Sequence, residues 1–158
     1  MTKQELLTIN NFGIANITNH TLEPAQAYKV VKFRKALSGA IDAYVESEKA
    51  ILKDAGIDDG QAFDNELVEL RKAAKPSKEQ KARLEEMEAK LKRYNELRAE
   101  LLKEEVKLDC KTMPYDAWHQ LRSENKDVEI NGKKIDLLPN FIEDILEGVL
   151  WEAPKEEN

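Results

Sequence analysis

The sequence predicts a helix-dominated α+β fold: a long antiparallel helical hairpin with a small antiparallel sheet and short helices at its base. Three observations predict it. Two stretches inside 24–108 repeat apolar residues every seven positions (Val30, Leu37, Tyr44, Ile51, then Met87, Tyr94, Leu101, Leu108). Short alternating runs flank them on both sides in the chain. Charged residues make up 35% and aromatics only 6%, which fits long solvated helices better than a compact α/β enzyme.

The chain has 158 residues, enough for one domain with its own core. It divides into an N-terminal strand region (1–23), the hairpin (24–108), a strand, β-hairpin and helix (105–151), and an acidic tail (152–158). Leu7-Thr8-Ile9 alternates, so 5–18 is read as a strand, or a hairpin broken near Asn10-Asn11 and Gly13.

The first long helix opens at Pro24, whose missing N–H is no loss in a first turn. It closes at Gly56, a residue suited to the left-handed position after a helix. About 32 residues at ~1.5 Å each give an arm of about 48 Å. Phe63, Leu67, Leu70 and Ala74 mark a shorter helix over 61–74, and Lys75-Pro76 breaks it. Ser77 and Gln80 form a capping box for the second arm. Two apolar seams of matching length are expected to bury each other, within one chain or between two copies in a homodimer.

Beyond the second arm the period changes. Val106, Leu108, Cys110 and Thr112 alternate with charged residues, predicting a strand that ends at Met113-Pro114. Trp118 and Leu121 mark a short helix over 115–123. Val128-Glu129-Ile130, Asn131-Gly132 and Lys133-Lys134-Ile135 form a hairpin with a strong two-residue turn signal. Leu138 to Trp151 reads as an amphipathic helix covering the sheet.

No catalytic, cofactor or metal motif survives inspection. Asp58-Asp59-Gly60 resembles a calcium loop, but Ala55 and Ile57 would occupy ligand positions one and three. Cys110 sits on an apolar row, and the two histidines, His20 and His119, do not combine with it into zinc-ligand spacing. Carboxylate pairs such as Glu104-Glu105 are expected by chance among 31 acidic residues. The six glycines are scattered, without a phosphate-binding loop. The protein is therefore expected to be non-enzymatic and to hold no cofactor.

Net charge is −6, which argues against direct nucleic-acid binding. A single cysteine fits a reducing compartment, and no apolar run reaches signal-peptide or membrane-spanning length. A cytoplasmic protein is expected. Two surface features suit a protein partner. Lys29, Lys32, Arg34 and Lys35 form a basic patch early in the first arm. Glu143, Asp144, Glu147 and Glu152 surround Trp151 near the C-terminus, an acidic, aromatic-bearing stretch suited to a basic protein surface.

Two further stretches carry a family resemblance. Pro24-Ala25-Gln26-Ala27-Tyr28-Lys29 opens the first helix, and Glu105-Val106-Lys107-Leu108-Asp109 follows the second. In this order of parts the chain resembles small phage and prophage accessory proteins. The lysine-rich 71–83 segment and the acidic tail depart from their pattern. The resemblance implies an accessory protein in a bacterial host cell, and no catalytic residue. Together with the long helices, the absence of a site and the acidic charge, this leads first to an inhibitor or modulator of a host protein complex, and second to a virion structural or assembly component.

Overall fold

The computed structural model describes residues 1–156. Glu157 and Asn158, part of the expected acidic tail, lie outside them. Helix dominates. In chain order the elements are α1 (Lys3–Phe12), a 3-10 turn (Ile14–Asn16), α2 (Pro24–Asp54), α3 (Gly60–Lys72), α4 (Lys78–Lys103), α5 (Tyr115–Glu124), β1 (Val128–Ile130), β2 (Lys133–Ile135) and α6 (Asn140–Leu146). The chain forms two compact units, each with its own core.

The first unit contains residues 1–42 and the chain from Glu105 onward. Its N-terminal segment is helical, where a strand was expected. Thr2 caps α1 through a reciprocal pair: its Oγ1 accepts from the Glu5 N–H (3.2 Å), and its own N–H donates to Glu5 Oε2 (2.9 Å). Leu6 and Ile9, three apart, are fully buried, and Gly13 closes the helix at φ 108°. Leu7-Thr8-Ile9 alternates in sequence, but the capping box and the three-residue spacing decide the local structure.

Val30, Phe33 and Leu37 of α2 are buried in this unit's core with Trp118, Leu121, Ile142 and Leu146. The N-terminal part of the first arm's apolar row serves this core.

The expected strand over 106–112 does not form. Val106, Leu108 and Cys110 are half-buried and alternate with exposed Lys107, Asp109 and Lys111, so the period-two pattern is real. Among the described residues no strand pairs alongside it. Single bridges hold its ends, Thr2 with Glu105 and Met113 with Trp151. The sheet consists of β1 and β2 alone, antiparallel, with Val128 opposite Ile135. Asn131 (φ 52°) and Gly132 (φ 77°) make the turn that their residue types predict.

The last helix is also shorter than its apolar pattern. It starts after Pro139 and ends at Leu146, because Gly148 turns the chain at φ 74°. Leu150 and Trp151 stay buried beyond it, through bonds from their N–H groups to the Leu146 carbonyl (2.9 and 3.4 Å).

The second unit, Ala43–Glu104, holds the end of α2 with α3 and α4. Gly56 (φ 81°) terminates α2, and the Ile57 N–H reaches back to the Leu52 carbonyl at 2.9 Å. Ser77 and Gln80 cap α4 as predicted. Asp54 pairs with Arg93, while Glu48 pairs with Tyr94 and Arg98, an antiparallel run of α4 along the end of α2. Phe63, Leu67 and Met87 fill the core.

Candidate protein-binding site

The basic patch of α2 opens onto a cavity of about 380 Å³ in the first unit. Lys29 and Lys32, on one face of α2, border it together with Lys111 from the irregular segment. Ala25, Tyr28 and Cys110 supply its apolar surface, and Asp109 is the one acid among the lining residues. Three ammonium groups against one carboxylate make it locally basic within an acidic chain.

Hydrogen bonds brace the elements next to this cavity. Lys29 Nζ donates to the Thr112 carbonyl at 2.9 Å, which ties α2 to the irregular segment. Thr112 Oγ1 donates to Glu152 Oε1 at 2.6 Å. Lys32 and Tyr28 are exposed, Tyr28 at 60%, and Lys32 Nζ lies 5.8 Å from the Tyr28 ring centroid. Lys35, one turn beyond, is exposed but does not line the cavity.

The acidic C-terminal residues do not form one docking surface. Glu143 is only 14% exposed in its side chain. It accepts from Trp118 Nε1 (2.8 Å) and holds Arg122 Nη1 at 2.6 Å. Trp151 is 7% exposed, stacks on Trp118 at 5.9 Å, and donates Nε1–H to the Glu143 carbonyl. These two residues face inward because a core tryptophan needs a partner for its N–H. Asp144, Glu147 and Glu152 are exposed.

Sequence reasoning missed Lys111, Tyr28 and Cys110 as cavity residues. The alternation of Lys107, Asp109 and Lys111 signalled that Lys111 points outward. Its approach to α2 depends on the Lys29–Thr112 bond, which joins residues 83 apart in sequence and has no local signature.

Cys110, His119 and Asp59 have structural partners. Cys110 Sγ donates to the Val149 carbonyl at 3.3 Å, and burial, aided by Asp109, pushes its thiol pKa up, away from an activated thiolate. The cavities it borders contain no histidine. His119 stacks on Tyr115 at 6.2 Å. Asp59 caps α3, its Oδ1 accepting from the Ala62 N–H at 3.0 Å. Among the described residues no group of three or more metal-ligating side chains gathers, and no helix is long and apolar enough to cross a membrane.

No family model matches the chain, and no curated protein or solved structure is significantly similar to it.

Proposed function

We propose that the chain is a non-enzymatic protein-binding accessory protein that modulates a protein complex of a bacterial host. Its lysine-bordered cavity receives an acidic segment of the partner that carries an apolar anchor. The observation that carries this reading is the convergence of Lys29, Lys32 and Lys111 on one cavity with an apolar surface. An acidic segment satisfies the ammonium groups, and a leucine or phenylalanine within it fills the space beside Tyr28 and Ala25. The chain's overall negative charge is screened beyond roughly 8 Å at physiological ionic strength, so the local lysines govern the encounter. The resemblance to small phage proteins supports a host complex as the target.

The test is fluorescence anisotropy with a labelled glutamate-rich hexapeptide carrying one phenylalanine, and a lysine-rich counterpart. The acidic peptide is expected to bind, more weakly as salt rises. The double substitution Lys32→Glu, Lys111→Glu should weaken it at least ~10-fold by reversing both charges. Lys133→Glu, on β2 and outside the cavity, should leave affinity unchanged. Equal binding of both peptides, or no effect of the double reversal, would reject the proposal. Capture from bacterial lysate with wild type and the double variant then identifies partners, keeping only those lost with the lysines.

A further inference from the structure

Arg34 belongs by sequence to the basic patch, but it does not share the cavity of Lys29 and Lys32. It lines a separate groove of about 230 Å³ formed by α1, the 3-10 turn and α2. Ile14, Leu37 and Ile41 give this groove an apolar lining, and Ser38 adds a hydroxyl. Arg34 Nε and Nη2 are both buried and have no hydrogen-bond acceptor. Burial also depresses the pKa of the guanidinium, with no carboxylate opposing that shift.

Nε and Nη2 together form one edge of the guanidinium, with two parallel N–H groups. That edge matches the two oxygens of a carboxylate. The same chain shows the match elsewhere: Arg83 grips Glu66 with Nε at 2.7 Å and Nη2 at 3.1 Å. In Arg34 this edge is withdrawn from water without a protein acceptor. A partly buried cation left uncompensated destabilises a fold, so such an arrangement is favoured where a ligand supplies the counter-charge.

We infer that the Arg34 groove binds a carboxylate group borne on a short apolar body. The carboxylate pairs with Nε and Nη2, and the body lies along Ile14, Leu37 and Ile41. Both nitrogens are covered in the unliganded chain, so binding requires the guanidinium to turn toward the groove. Asp42, also in the groove lining, is exposed and eight residues along α2. That sets its Cα about 12 Å along the helix axis at ~1.5 Å per residue, so the carboxylate of a short ligand seats at the Arg34 end of the groove. The carboxylate belongs either to a free small acid or to an acidic side chain of a bound protein, and the experiment separates the two.

The experiment follows the Arg34 Nε–Hε cross-peak by NMR during titration of the full chain. Probes are hexanoate, its neutral amide hexanamide, inorganic phosphate, and a blocked tripeptide centred on glutamate. Hexanoate should move the peak downfield saturably, and hexanamide should not. Movement with hexanoate alone assigns a free small acid; movement with the tripeptide as well assigns an acidic side chain. Arg34→Lys keeps the charge but loses the two-pronged edge, and should weaken hexanoate at least ~10-fold, read from the methyl peaks of Leu37 and Ile41. Arg34→Leu should raise the melting temperature of the unliganded protein, an effect opposite to that of losing a structural arginine. No movement with either carboxylate, or movement with phosphate alone, would overturn the inference, as would a lowered melting temperature in Arg34→Leu.

Discussion

The residue that joins most of the first unit is Asn125, the one fully buried polar side chain among the described residues. Its Oδ1 accepts from the Thr18 N–H at 2.8 Å, and its Nδ2 donates to the carbonyls of Thr18 (2.9 Å) and Leu121 (2.8 Å). Its backbone carbonyl accepts from the Leu137 N–H at 3.0 Å. One amide thus joins the loop before α2 to the end of α5, and its backbone binds the segment before α6. An amide is needed because the site offers one donor and two acceptors, which a carboxylate or hydroxyl cannot all satisfy. Asn125→Ala would leave these groups buried without partners, at about 1–3 kcal/mol for each group that water cannot reach. The expected loss is about 3 kcal/mol, read as a lower urea midpoint at unchanged slope. A loss below about 1 kcal/mol would mean that the loop rearranges to find other partners.

Between elements of the second unit, the contact between α2 and α4 centres on Tyr94. Its hydroxyl donates to Glu48 Oε1 at 2.6 Å, and Arg98 Nε lies 3.5 Å from the same carboxylate oxygen. Burial, reinforced by the Glu48 charge, pushes the Tyr94 pKa up to about 12. The unfolded value is about 10, so the folded state holds the proton more tightly. This contribution is complete below pH about 10 and is lost as pH rises toward about 12. Denaturation of wild type and Tyr94→Phe should differ by about 1 kcal/mol at neutral pH, and the difference should shrink through that window. A difference constant to high pH would show that Tyr94 titrates normally. The long helices that make this contact were legible in sequence because many residues vote for each: seven-residue recurrence, Pro24, the Ser77–Gln80 box and Gly56. Short elements have fewer votes. In α1 the Thr2–Glu5 box was readable, but a three-residue alternation outweighed it. Over 106–112 the alternation reports one side packed on a core, which a lone extended segment shows as clearly as a strand. The lysine-bordered cavity was half legible: Lys29 and Lys32 share a helix face, whereas Lys111 and Thr112 reach them only through tertiary structure.

At the scale of the whole molecule, the two cores are unequal, and α2 is common to both units. Among the described residues the first unit buries eighteen apolar residues in one cluster, including Trp118 and Trp151. The second gathers five in its cluster, with Tyr44 and Leu101 buried outside it, supplemented by partly exposed leucines and by exposed ion pairs such as Arg83–Glu66 and Arg71–Glu88. Exposed pairs contribute little, so the smaller core governs the second unit's stability. The second unit is therefore expected to open at lower free energy than the first. Native-state hydrogen exchange should show amides of 43–103 exchanging first, while those of Val30 to Leu37 on the same helix stay protected to the global limit. Met87 is fully buried in the smaller core, and Met87→Ala should cost about 3 kcal/mol there. That cost should appear in the amides of α3 and α4 and leave Trp118 and its neighbours unchanged. If instead every slow amide shifts by the same amount, the two cores unfold as one. The continuous backbone of α2 would then transmit stability across its length, since a break within it would sacrifice hydrogen bonds that neither core replaces.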